Sequence, residues 1–268
     1  MSYRELFVQS WQLVRHNKRI WFFSFWSTVC AMVNPLFYSI GLRFPGLKIY
    51  GSFFVPLYCL AVIFGIAYAI FACWSLYGQF YCTALAVNGA ECDAAAVWKN
   101  FKSNLLKMAF LFILILIYFF ILYGLNNLVW KGIISIAGNF YGADFWWSVS
   151  LGVWIIFLGA PVGLSLYGLI FQRMGVFASF INGLGVFSKD PMTFIGIQSA
   201  HYFAVLAGGL IALVTLLFLG QNINYDTYNR MRSAVPITML TSFCSFFIAP
   251  VVSTAMASRY FKISPIRE

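Results

Sequence analysis

Few residues in this chain have the type and spacing to do chemistry, and most of them stand alone. His201 is the only histidine near a long apolar stretch. A proton shuttle there needs a carboxylate partner. The nearest in sequence is Asp190, about three helical turns away. An interfacial histidine accounts for the position without a partner. Glu91 and Asp93 flank Cys92 as a close acidic pair. A metal site needs more ligands nearby, whereas negative charge at the start of the next helix explains the pair directly. The six cysteines show no CxxC or Cys/His metal spacing and read as small buried hydrophobes. There is no GxSxG, no HExxH and no phosphate-binding Gly-rich loop. No catalytic, metal or cofactor-binding residue is therefore expected.

Two sets of polar residues remain. Arg15, Lys18, Arg19, Lys99 and Lys102 lie on or beside amphipathic segments and are candidates for contact with a membrane surface. Asn34, Gln172, Gln198 and His201 lie in or near apolar stretches and are candidate linings of a pore. Gln79, Arg173, Thr215, Ser242 and Ser245 are similarly placed. Gln79 and Arg173 fall at the ends of their stretches, where snorkelling accounts for an arginine.

The elements that must position these residues follow from composition. Of 268 residues, 62% are hydrophobic and 9% charged. That exceeds what a soluble fold of this size can hide, so lipid must solvate most of the chain. No polar stretch is long enough to form a separate soluble enzyme domain. Six windows are long and apolar enough to span: Ile20–Ile40, Ser52–Tyr77, Lys107–Leu125, Trp146–Phe171, His201–Gly220 and Ile237–Ala257. The runs are continuous rather than alternating, which predicts an all-α polytopic bundle and not a barrel. The first apolar stretch is too long for the core of a signal peptide. With the N-terminus inside, inner segments carry twelve Lys+Arg and outer loops five. Both termini are thus expected in the cytoplasm, and the net charge of +10 reads as this asymmetry rather than as a nucleic-acid surface. Trp21, Trp26, Trp74, Trp146 and Trp147 fall near span ends, where indoles favour the interface.

Ser2–Arg19 places Tyr3, Phe7, Trp11 and Val14 on one helical face, as expected of a helix lying in the headgroup layer. Ala94–Asn104 and, more weakly, Pro191–Ala200 look similar. Ser75-Leu76-Tyr77-Gly78 recurs ninety positions later as Ser165-Leu166-Tyr167-Gly168. Ala160-Pro161-Val162 recurs as Ala249-Pro250-Val251, and Trp11 and Asn17 match Trp98 and Asn104. These shifts suggest three parallel repeats, 1–90, 91–185 and 186–268, each an in-plane helix plus a hairpin, within one transmembrane domain. Asn88-Gly89 and Asn182-Gly183 are turn signals. Ala61/Gly65/Ala69, Gly159/Gly163 and Ala249/Ser253/Ala257 are candidate packing seams. Pro35, Pro56, Pro161 and Pro250 are expected to bend their helices.

The three-hairpin plan is similar in outline to the mitochondrial carriers, but Pro35 is followed by Leu36, Phe37 and Tyr38 with no acid, so that assignment is rejected. The opening Ser10-Trp11-Gln12-Leu13-Val14-Arg15-His16-Asn17-Lys18-Arg19-Ile20-Trp21 and the Asn-Gly-preceded segment before span three resemble bacterial six-helix proteins grouped with the membrane domain of glycerophosphodiester phosphodiesterases. What the resemblance implies is an accessory membrane domain. The catalytic part of that group is a separate soluble domain, so no phosphodiesterase activity is implied here. The expected function is non-enzymatic: an accessory or scaffold protein of a bacterial cytoplasmic membrane. Its partners would be the anionic inner leaflet and a candidate membrane protein, with no nucleic acid and no cofactor. The alternative is a transporter or channel for a small apolar or weakly polar solute.

Overall fold

The first break in the chain is made by one side chain. In the computed structural model, α1 runs Tyr3–His16 and α2 runs Lys18–Arg43. Ser2 opens α1 with a reciprocal cap, its Oγ accepting from the Glu5 amide while the Glu5 carboxylate accepts from the Ser2 amide. Asn17 leaves helical geometry at φ −106°, and its Oδ1 accepts from the amides of Arg19 at 3.2 Å and Ile20 at 3.3 Å. It therefore ends one helix and caps the next.

The structure describes residues 2–43, 54–137, 143–218 and 227–265. Among them are α3 (Phe54–Val87), α4 (Ala94–Ala137), α5 (Ala143–Phe171), α6 (Val176–Lys189), α7 (Pro191–Phe218) and α8 (Thr227–Ile263), and no strand. Each of the six expected spans overlaps one long helix. Among the described residues, four stretches are long and apolar enough to cross a membrane: Ile63–Val87, Ala94–Ile136, Pro191–Ile211 and Leu240–Ile263. By length and composition the chain is that of a helical membrane protein. Large side chains on α4 lie bare, among them Phe120 at 78% exposure and Ile136 at 90%, as lipid allows and water does not.

Several expectations need correction. Ala94–Asn104 is not a separate in-plane helix. It runs unbroken into the next span as one helix of 44 residues. Asn104, the match of Asn17, donates its side-chain amide to the Asn100 carbonyl inside that helix and so breaks nothing. Pro191–Ala200 is likewise the start of α7, and the separate short helix is α6. Asn182-Gly183 sits within α6 and is no turn. Asn88-Gly89 is one, with Gly89 at φ +73°. Asp93 caps α4 through its Oδ2, which accepts from the Ala96 amide, so the acidic pair does begin a helix. Cys82 and Cys92, read as apolar packing, are joined in a disulfide across this turn. Pro161 and Pro250 lie within continuous helices.

Two compact units are present, Met1–Trp98 with Ala200–Thr254 and Lys99–Ser199 with Ala255–Glu268. In the first, the buried Phe23 ring fills the space where Gly78 has no side chain, which seats α2 against α3. Trp74 packs on Phe23 at 5.2 Å, Trp26 on Phe71 at 5.3 Å and Trp21 on Phe246 at 5.2 Å, so these indoles belong to ring clusters. Trp146 and Trp147 have side chains outside the described residues. In the second unit α6 lies on α5. It buries the small Ser179 and Gly183 together with Val186, and exposes Phe177 and Ile181. A Cβ on Gly183 would come within 2.5 Å of the Pro161 carbonyl oxygen. Of the predicted seams, Gly163 faces Met256 and Ser253 and Ala257 are buried, but Gly65 and Ala69 are exposed and Gly65 meets nothing. The side chain of Ala61 is outside the described residues.

The sequence matches coincide in one local feature. Ser75 Oγ donates to the Phe71 carbonyl at 2.8 Å, Ser165 Oγ to that of Pro161 at 2.8 Å and Thr254 Oγ1 to that of Pro250 at 2.7 Å. All three hydroxyls are on fully buried residues.

Candidate functional site

A stripe of hydroxyls is the first element of the site. On α2, Ser24, Ser27, Thr28 and Ala31 recur at the three- and four-residue spacing that brings side chains to one helix face. On α8, Thr241, Ser242, Ser245 and Ala249 do the same. Together with Gln79 of α3 and Val205 of α7 they line a cavity of about 220 Å³ in the first unit. Seven of these ten residues carry an uncharged hydrogen-bonding side chain, and none carries a charge. Ser24 Oγ donates to the Phe246 carbonyl at 3.2 Å, and Gln79 Nε2 to Ser253 Oγ at 3.5 Å. The wall formed by α7 and α8 is close-packed: a Cβ on Gly208 would meet Cys244 Sγ at 2.7 Å.

Buried polar atoms without a partner lie one turn beyond this lining. Thr83 Oγ1 is four residues after Gln79 on α3, and His201 Nδ1 is four residues before Val205 on α7. In an apolar surrounding an unmade hydrogen bond costs about 1–3 kcal/mol. The cavity can hold hydrogen-bonding groups that apolar packing would exclude.

The predicted pore residues fare differently. His201 is half-buried and does not line the cavity, nor does Gln198. The side chain of Asn34 lies outside the described residues. Gln172 belongs to a closed network in the second unit. Its Oε1 accepts from Asn182 Nδ2 and Tyr260 Oη, and its Nε2 donates to Ser264 Oγ at 2.8 Å. Such a satisfied set holds helix ends together. Sequence reasoning noted Gln79, Ser242 and Ser245 but missed Ser24, Ser27, Thr28 and Thr241. The signal was available as hydroxyls at helical spacing within an apolar run. It also missed Asn126 of α4, buried and bonded to Ser150, which in turn accepts from Trp130 Nε1 at 2.6 Å.

The five candidate surface residues, Arg15, Lys18, Arg19, Lys99 and Lys102, are all exposed. On α1 the buried stripe is Leu6, Ser10 and Val14, rotated from the predicted face, and Tyr3 and Trp11 remain 47% and 44% exposed. Beside α1 an open groove of about 1260 Å³ is lined mainly by apolar side chains such as Phe7, Trp11 and Phe247, with Arg15, His16 and Glu91 also lining it.

One ion pair braces the second unit. Asp190, before the first turn of α7, takes the guanidinium of Arg259 from α8. Burial pushes the Asp190 carboxyl up. Hydrogen bonds from Thr193 and Arg259, with the Arg259 charge, more than reverse this and hold it below the usual carboxylate range. Among the described residues no three His, Cys, Asp or Glu stand close enough to hold a metal ion. Protein-family models, curated proteins and solved structures provide no match to this chain.

Proposed function

We propose that this is a non-catalytic, multi-pass protein of a cytoplasmic membrane, with both termini inside, acting as an accessory or scaffold at the anionic inner leaflet. The observation that carries the reading is α1. Protein covers only part of its apolar arc, leaving Tyr3 and Trp11 for the acyl boundary and Arg4 and Arg15 for headgroups. Lys18 and Arg19 follow at the junction. Each basic residue near the surface contributes up to about 1 kcal/mol, weakened by salt. Lys99 and Lys102 add to the same attraction. The recurring hydroxyl-to-carbonyl bond supports descent from three parallel units, and the short helix α6 stands before the third hairpin as α1 does before the first.

The test is hydrogen exchange on the whole protein in nanodiscs. Amides of α1 should exchange several-fold more slowly in anionic than in neutral lipid. The triple change Arg15→Glu, Lys18→Glu, Arg19→Glu should remove that difference. Equal protection in both lipids would count against the proposal.

A second reading, a pathway for a small weakly polar solute, is favoured by the hydroxyl-lined cavity. Intramembrane polar groups face protein or water-filled space, and apolar residues would have packed the same volume more cheaply.

A further inference from the structure

We infer that the cavity of the first unit is a binding site for a small, uncharged, hydroxyl-rich solute. This deepens the pathway reading but does not depend on α1. The space is about 220 Å³. At roughly 30 Å³ per water it holds about seven waters, or one solute of comparable heavy-atom count. Its lining selects by chemistry. Ser27 and Thr28 from α2 and Ser242 and Ser245 from α8 present hydroxyls that both donate and accept, and Ser24 Oγ, whose proton goes to the Phe246 carbonyl, accepts. Gln79 adds an amide with the same double capacity. A polyol matches such a surface at every face. An ion does not: no Asp, Glu, Lys or Arg lines the space, and a full charge there would stay unpaired.

Two further observations make this more than loose packing. Thr83 Oγ1 and His201 Nδ1, each one turn from a lining residue, are buried without a protein partner. The helices approach closely elsewhere, with Phe23 set against Gly78 and Cys244 against Gly208, so the gap is not a general slackness of the unit.

The experiment is thiol accessibility on the full chain in lipid vesicles. The native cysteines are replaced, and Ser245→Cys is reacted with methyl methanethiosulfonate, a small neutral reagent. Exposed Ser188→Cys serves as a reference. Erythritol should slow modification at position 245 at least threefold and leave position 188 unchanged. Choline chloride at equal osmolarity should protect neither. Adding Thr28→Val should weaken the erythritol protection. An unreactive thiol at 245, no protection by erythritol, or equal protection by choline would overturn the assignment. Erythritol entry into the vesicles is measured in parallel. Protection without entry keeps the site and removes the pathway. Entry at the rate of empty vesicles, with no protection, removes both.

Discussion

Asn17 and Asn104 hold the same place in two matched segments, yet one interrupts a helix and the other does not. Asn17 turns its side chain forward to the amides of Arg19 and Ile20, whereas Asn104 turns back to the Asn100 carbonyl. The difference is local competition between side chain and backbone for the same donors and acceptors. Asn17→Ala should cost about 1 kcal/mol, read as a lowered melting temperature in detergent. Asn104→Ala should stay within about 0.5 kcal/mol. Asp190 supports a pH prediction. Its folded pKa is depressed, so its contribution is complete above the unfolded value. That contribution fades as pH falls through the folded value, below the ordinary carboxylate range. Partial exposure of Arg259 keeps it at or below about 1 kcal/mol. Asp190→Asn retains a capping side chain and should melt lower than the parent at neutral pH, with the gap closing in acid. Parallel melting curves at every pH would rule this out. The acidic pair at Glu91 and Asp93 was legible because capping is a short-range rule. The cap made by Asn17 was not, because its type alone does not say which way the amide turns.

Among the elements, α6 inverts the pattern expected in water. Its small residues face α5 and its large ones face outward. In lipid, apolar area gives no preference for the inside, and close backbone approach decides the contact. That is why the helix was invisible to a search for amphipathic charge, and why Asn182-Gly183 suggested a turn. Gly183→Ala should cost about 1–3 kcal/mol, because the Pro161 carbonyl and the Ser165 backbone must move. Gly65→Ala meets open space and should leave thermal stability unchanged. Equal effects from the two would refute this account of the α5–α6 contact. The long helices were legible from hydropathy. The 44-residue length of α4 was not, because Val97, Trp98 and Phe101 look the same on a separate surface helix as on the first turns of a continuous one.

Among the described residues, large apolar side chains such as Phe120 and Ile136 stand exposed, while Ser24, Ser75, Ser165 and Thr254 are buried. The class was legible from composition. The cavity was not, because it exists only where the Ser/Thr stripes of α2 and α8 meet beside Gln79 of α3 and Val205 of α7, and no single window contains it. The turn between α3 and α4 carries a different kind of information. Cys82 and Cys92 stand with Cα atoms 5.1 Å apart, ten residues distant in sequence. In the orientation proposed above, that turn would face the cytoplasm, where glutathione keeps thiols reduced. There the pair would rest as a dithiol, poised to close under oxidative stress; on the opposite side it would stay locked. Rapid acid quenching of cells and alkylation with a heavy maleimide distinguish the two. With the other four cysteines replaced, two added masses without reductant, lost after diamide, are expected for the inward topology. A pair that reacts only after reduction would turn the whole protein over in its membrane.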